Sequence, residues 1–312
     1  MAIGVALVGA GLLWWRKPWV PAVPLADPGR GGQRINEAGV FGNYFASTAP
    51  APGILLLGGS EGGLSHDVAR TARAFRRAGF SVLQLAYFGA PHEPSKLERV
   101  PLETFDRGLD WLRRQPAVLP DRVALVGHSK GAEAALLEAA RRPDVVRAVV
   151  AAAPSSVVWK GIDWGFPLNP DSSWSANGKP VPALPYALWR PWKPIGSVYR
   201  DGLRRLGEHR KSEIAVERIA GPVLLLCGDR DALWPSCPMS RALRSRAEQR
   251  GKTGVSVIEF KTAGHLLFGP RVPPQDPALH NRWTGGSATA NNQARAKGWS
   301  LVVAFLRQNL AS

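Results

Sequence analysis

The feature that most restricts the fold is Gly127-His128-Ser129-Lys130-Gly131, because of what flanks it. The apolar run Val123-Ala124-Leu125-Val126 leads straight into it, and an Ala/Leu-rich helical pattern continues from Gly131 to Arg142. A G-x-S-x-G sequence between a strand and a helix makes a tight, strained turn that holds the serine hydroxyl clear of the sheet. Glycines are needed on either side because side chains there would collide with neighbouring backbone. The helix N-terminus beneath adds a positive dipole end where an oxyanion would develop.

The rest of the chain alternates in a way that fits such a turn. Short apolar runs at Gly53–Gly58, Phe80–Ala86, Arg122–Val126, Val146–Ala152, Pro222–Cys227 and Val255–Phe260 read as buried strands. Helical spacing fills the gaps at Asp67–Ala78, stopped by Gly79, and at Leu102–Gln115, with Phe105, Leu109 and Leu112 on one side. Strands that are apolar throughout and separated by helices predict an α/β fold. Its central sheet is mostly parallel, with helices on both faces. Ser155 to about Glu213 breaks the pattern. It carries Trp159, Trp164, Trp174, Trp189 and Trp192 and many prolines, with no clean period. A stretch of this kind reads as a lid inserted between sheet strands. The expected organisation is an N-terminal apolar segment and Pro/Gly-rich linker over 1–32, then one catalytic domain over 33–312 with the lid at about 155–213.

A serine alcohol is a weak nucleophile without a base. In this architecture the partners follow in the order serine, acid, histidine. The strand Pro222–Cys227 runs into Asp229-Arg230-Asp231-Ala232-Leu233-Trp234-Pro235. Asp231, a few residues into the loop, is the favoured acid; Asp229 is expected to shape the turn by hydrogen bonds from its side chain to the backbone. The strand Val255–Phe260 is followed by Thr262-Ala263-Gly264-His265-Leu266, which makes His265 the candidate base. His280 is further into the loop region. His128 should point away from the serine and make a structural hydrogen bond. His66 lies near a helix start, and His92 and His209 read as surface or lid residues. Oxyanion donors are expected from the backbone N–H of Lys130 and from Gly58-Gly59-Ser60-Glu61-Gly62-Gly63, with Ser60 favoured and Glu61 next. That glycine cluster lacks the Lys-Ser/Thr ending of a phosphate loop. Glu61, Trp159 and Trp234 are candidates for the substrate pocket. No metal site and no cofactor are expected, and two cysteines, Cys227 and Cys237, exclude a disulfide scaffold.

Several of these stretches together resemble one family. Pro52–Leu64 (PGILLLGGSEGGL), Gly79–Phe88 (GFSVLQLAYF), Val126–Gly131 (VGHSKG), Asp231–Ser236 (DALWPS) and Ala263–Pro270 (AGHLLFGP) look like the C-terminal catalytic domain of acyl-CoA thioesterases and bile acid-CoA:amino acid N-acyltransferase, within the α/β-hydrolase superfamily. Gly285-Gly286 and the helix holding Trp299 and Phe305 fit as well. The resemblance implies the α/β-hydrolase fold and a triad at Ser129, Asp231 and His265. It implies a serine hydrolase cleaving acyl-CoA to free fatty acid and CoA through an acyl-serine intermediate. The family's amino-acid-conjugating members carry cysteine at the nucleophile. Serine here makes water the expected acceptor. The better-known members also carry an N-terminal immunoglobulin-like β-domain, which is not expected here, where about forty residues precede the core.

Charge narrows the partners. Lys and Arg total 40 against 24 Asp and Glu, a net charge of +16, with arginine outnumbering lysine about three to one. Such a field attracts polyanions. The basic residues are dispersed and no nucleic-acid motif is present, so nucleic acid is not expected. The phosphates of an acyl-CoA and anionic lipid remain, beside a generally arginine-rich surface. The N-terminus, Met1 to Trp15, is apolar and followed by Arg16-Lys17-Pro18. It is short against the ~20 residues of a spanning helix. It reads as a marginal anchor holding the domain on the cytoplasmic side, with a periplasmic location as the alternative. Two other functions stay open: a carboxylesterase or lipase with the same machinery, and a non-catalytic, membrane-associated binding protein on a hydrolase scaffold.

Overall fold

The computed structural model describes residues 22–162, 170–279 and 283–311. The strands are β1 (Gln33–Glu37), β2 (Val40–Phe45), β3 (Ala51–Leu57), β4 (Ser81–Leu85), β5 (Val100–Pro101), β6 (Val118–His128), β7 (Val146–Ala152), β8 (Trp174–Ala176), β9 (Lys179–Pro180), β10 (Val223–Gly228) and β11 (Val255–Phe260). The α-helices are α1 (His66–Arg77), α2 (Glu103–Arg113), α3 (Lys130–Arg141), α4 (Ser197–Leu203), α5 (Ser236–Gln249) and α6 (Ala288–Leu310). The apolar segment Met1–Trp15 with Arg16 and Lys17, Trp164 and His280 lie outside the described residues. Among the described residues no helix is long and apolar enough to cross a membrane.

The main sheet has the order β1-β2-β4-β3-β6-β7-β10-β11. From β4 to β11 every pair is parallel; β1–β2 and β2–β4 are antiparallel. Alternation inside each strand builds two cores. Leu55, Leu83, Leu125, Val149 and Leu225 pack with Phe105, Leu109, Ala135 and Leu243 on the α2–α3–α5 face. Ile54, Leu56, Val82, Val126, Val150 and Leu226 pack with Phe75, Ala294, Val302 and Leu306 on the α1–α6 face. Burying a side chain of this size stabilises the fold by roughly 1.5–3 kcal/mol each. Both faces of the inner strands β3, β4, β7 and β10 are covered, which is why their sequences are mostly apolar without alternation. The edge strand β11, in contrast, is half-exposed, not buried as its sequence suggested.

The β1–β2 hairpin is absent from the sequence reading. Its two-residue turn is Ala38-Gly39, both with positive φ (52° and 69°). That geometry suits a hairpin turn, but alanine in place of the usual Asn or Asp removes the sequence signal. Residues 22–32 run against the sheet: Ala26 N–H donates to the Leu64 carbonyl at 2.9 Å, and Asn43 Nδ2 donates to the Ala26 carbonyl at 3.1 Å. The Trp/Pro-rich segment from 155 to 213 contains β8, β9 and α4, and β8 pairs with β5 in a second, small sheet. Trp159 and Trp174 in this segment are fully buried.

Cys227 at the end of β10 and Cys237 in α5 form a disulfide, ten residues apart in sequence. Two cysteines make no scaffold, but here they pin the helix to the strand. A closed loop of this length stabilises by roughly 2–4 kcal/mol.

Candidate active site

β3 lies between β4 and β6, so the chain leaves β3 and β6 in opposite directions at their C-terminal ends. A parallel sheet opens a crevice at such a point. Ser129 stands there, directly after β6, with φ 57° and ψ −122°. A non-glycine residue held in this region costs on the order of 1–3 kcal/mol. The turn is fixed from both sides. Ser129 N–H donates to the Ala152 carbonyl at 2.9 Å, and its own carbonyl accepts from Ala132 N–H at 2.9 Å and Glu133 N–H at 3.1 Å. Gly131 has no alternative, because a Cβ there would strike the carbonyls of Leu57 and Gly58 at the end of β3.

The structure brings Ser129, His265 and Asp231 into one hydrogen-bonded line. His265 Nε2 is 2.8 Å from Ser129 Oγ, and His265 Nδ1 is 2.8 Å from Asp231 Oδ2. Asp231 Oδ1 accepts from the backbone N–H groups of Leu233 at 3.0 Å and Trp234 at 3.2 Å, which fixes the carboxylate plane. All three side chains are buried. In this line a proton can pass from the hydroxyl to the imidazole while the carboxylate holds the ring and stabilises the imidazolium. The histidine loop is held by α6 and the segment just before it. Gly264 N–H donates to Asn291 Oδ1 at 2.7 Å, and His265 N–H donates to the Thr284 carbonyl at 2.8 Å.

His128 does point away from the serine. Its Nε2 donates to the His265 carbonyl at 2.9 Å, and burial drives its pKa down to about 3, so the ring stays neutral. Asp229 differs from expectation. Its carboxylate is turned toward Arg241 and Lys261, at 3.7 Å and 4.0 Å, instead of bracing the turn. Asp229, Cys237 and Glu259 are the one group of potential metal-ligating side chains brought together among the described residues. Cys237 is spent in the disulfide and offers no thiolate, and Arg241 and Lys261 already neutralise both carboxylates.

The glycine-rich loop after β3 lies against the serine: a Cβ on Gly59 would sit 3.2 Å from Ser129 Cβ. Gly59 N–H is occupied, donating to Glu61 Oε1 at 2.9 Å. Burial raises the Glu61 pKa, and hydrogen bonds from its own amide and from Gly59 oppose the shift. The N–H groups of Ser60 and Lys130 have no acceptor among the described residues. Of the pocket candidates, Trp234 reaches the site, its ring edge-on to His265 at 5.6 Å between centroids. Trp159 does not touch the line of three. It belongs to an aromatic cluster with Tyr186 and Tyr199, and Tyr199 meets Trp234 at 5.6 Å.

Sequence reasoning missed the buried polar layer beneath the site. Tyr87, just past β4, donates its hydroxyl to the carbonyls of Gly58, at 2.9 Å, and Gly59. Lys130 Nζ is 2.8 Å from both oxygens of Glu133, and Glu133 Oε1 also accepts from Trp174 Nε1 at 2.8 Å and Trp159 N–H at 3.1 Å. Burial lowers the Lys130 pKa and raises that of Glu133, and the attraction between them opposes both shifts. The available signal was a Lys–Glu pair at i, i+3 in the first turn of an Ala/Leu-rich helix.

Comparison with known proteins agrees with this architecture. Two solved structures share the fold: a dienelactone hydrolase-like promiscuous phosphotriesterase from metagenomic libraries and the alpha/beta hydrolase GrgF from Penicillium sp. sh18. The first is 15% identical, covers 89% of this chain and 98% of its own, and superposes with a TM-score of 0.55. The second is 16% identical, covers 90% and 99%, and has a TM-score of 0.55. In sequence, the mouse acyl-coenzyme A amino acid N-acyltransferase 1 is 27% identical over 296 residues, 91% of this chain and 66% of the relative. Mouse acyl-coenzyme A thioesterase 6 is 29% identical over 269 residues, 83% and 60%. The chain thus spans less than two thirds of the length of these relatives. The family described as BAAT / Acyl-CoA thioester hydrolase C terminal matches residues 100–312, more than half of the chain, which therefore belongs to that family.

Proposed function

We propose that the protein is a serine hydrolase of acyl thioesters, with acyl-CoA as the substrate. The observation that carries this reading is the unbroken Ser129–His265–Asp231 line at the crevice of the sheet. His265 takes the Ser129 proton as Oγ attacks the thioester carbonyl. The oxyanion is held by the N–H groups of Lys130 and Ser60, which have no other acceptor among the described residues. The thiolate leaves with the proton returned by His265, and water attacks the acyl-serine by the same relay. Each oxyanion donor contributes about 10²–10³ in rate. Relatives named as thioesterases and as N-acyltransferases both support an acyl-CoA substrate. A serine ester is less reactive toward amines than a cysteine thioester, which favours water as the acceptor.

One observation favours a second reading. A disulfide such as Cys227–Cys237 persists in oxidising compartments and is rare in the reducing cytosol. In a compartment of that kind acyl-CoA is not the substrate at hand, and the same machinery acts on oxygen esters. One experiment separates the readings: the purified chain is offered long-chain acyl-CoA and a p-nitrophenyl ester of the same acid. CoA release that vanishes in Ser129→Ala supports the first reading. Ester turnover without CoA release supports the second. Activity equal in wild type and Ser129→Ala overturns both.

A further inference from the structure

Six large apolar side chains are exposed among the described residues, and three of them fall within five positions. Leu188 is 85% exposed, Trp189 51% and Trp192 77%. They stand on a loop broken by Pro191 and Pro194 and interleaved with the cations Arg190 and Lys193. A cluster of bare tryptophans is costly in water and needs a reason. The loop is not a frayed end. Its base is closed by Ala187 N–H donating to the Val198 carbonyl at 3.0 Å, and the rings of Tyr186 and Tyr199 meet at 5.3 Å on either side of it.

The charge around the loop selects the occupant. Residues 187–211 contain seven Lys and Arg against Asp201 and Glu208. Asp201 is shared by Lys193 at 3.3 Å and Arg204 at 3.1 Å, and Glu208 pairs with Arg205 at 3.7 Å, so the segment keeps a strong positive excess. Tryptophan prefers the level of lipid headgroups, where its ring is in the apolar zone and its N–H in the polar one. Arginine and lysine beside it extend toward anionic headgroups and are attracted to them. A second copy of this chain would bring the same positive segment against itself.

We propose that the loop Leu188–Lys193 docks the protein on anionic phospholipid surfaces, inserting Leu188, Trp189 and Trp192 to headgroup depth. The consequence for the site is geometric. Tyr199 at the loop's base meets Trp234, and Trp234 meets His265, so two ring contacts inside the protein connect the docking loop to the reactive line.

The test uses the full chain, so that its N-terminal segment is present in every variant. Flotation is compared on vesicles of phosphatidylcholine and of phosphatidylcholine with phosphatidylglycerol. The triple variant Leu188→Ser/Trp189→Ser/Trp192→Ser should lose binding to the mixed vesicles by roughly tenfold or more. Arg190→Gln/Lys193→Gln should lose about tenfold on mixed vesicles alone. Circular dichroism and the thermal midpoint should match wild type in both, because no replaced side chain is buried. Triple-variant binding equal to wild type overturns the proposal, as does wild-type binding that ignores phosphatidylglycerol. A concentration-dependent dimer that the triple variant abolishes, with vesicle binding unchanged, would make the loop an interface between copies and overturn it too.

Discussion

The ammonium of Lys130 and the carboxylate of Glu133 lie 2.8 Å apart, with 2% and 0% of their side chains exposed, one residue and four residues after the serine. Lys130 therefore offers its N–H to the crevice while its side chain is committed to the interior. Removing one partner strands the other as a buried charge. Glu133→Ala should cost about 3–5 kcal/mol in stability. Adding Lys130→Met should restore much of it, because no charge is then left unpaired. A double-mutant cycle by urea denaturation measures this, and additive losses would refute the coupling.

Tyr87 positions the other N–H proposed as an oxyanion donor. Its hydroxyl holds the Gly59 carbonyl, and the peptide that carries this carbonyl also carries the Ser60 N–H. Because a trans peptide points the two in opposite directions, the tyrosine aims the amide. Tyr87→Phe keeps the ring contacts with Phe105 and Trp174 and removes only the hydroxyl's bonds to the Gly58 and Gly59 carbonyls. The expected outcome is a fall in kcat of about tenfold to a hundredfold, short of the loss of a whole donor. KM should change little and the thermal midpoint by a few degrees at most.

Asp231→Asn tests the acid. The amide still accepts from Leu233 and Trp234 through its oxygen, which turns its NH₂ toward His265 Nδ1. The imidazole must then carry its proton on Nε2, facing Ser129, and cannot act as a base. Activity should fall by about 10⁴ with the fold intact. Fluorophosphonate labelling of Ser129 should slow in parallel. Unchanged labelling would assign the base function elsewhere.

His128 gives the fold an acid limit. Its folded pKa of about 3 lies below the unfolded value near 6.5, so between these values the unfolded chain binds a proton that the folded chain refuses. Its contribution is complete above the unfolded value and is lost as pH falls through that window. His128→Asn keeps a donor for the His265 carbonyl and cannot titrate. Denaturation midpoints should fall less steeply between pH 6.5 and about 3 in the variant than in wild type.

The positions legible in the sequence were those that adjoin an apolar run. Ser129 and Asp231 stand in loops just past buried strands. His265 stands in the loop past β11, which is an edge strand and only half-buried rather than buried as its apolar run suggested. In all three, hydrophobic pattern and turn residues define the position closely. Residues whose partners are backbone atoms had no such mark. Tyr87 bonds to carbonyls 28 and 29 residues away, and nothing in its neighbourhood announces it. Asn291 grips Gly264 across 27 residues for the same reason. The disulfide was missed because two cysteines at a separation of ten are uninformative until a strand and a helix set them side by side. The hairpin ahead of the core was lost because Gly42 and Asn43 interrupt its apolar pattern.

The hydrogen bonds that Trp174 and Trp159 donate to Glu133 also bear on how such proteins can be recombined. The segment between β7 and β10 completes the solvation of a carboxylate that belongs to the helix behind the serine. Exchanging that segment for one from a relative, to alter substrate choice, would take away two of the donors on which Glu133 depends. A graft that ignores them inherits a hole in the interior of the acceptor and a loosened turn at its serine. Chimaeras should be cut so that residues 130–133 travel with the segment above them.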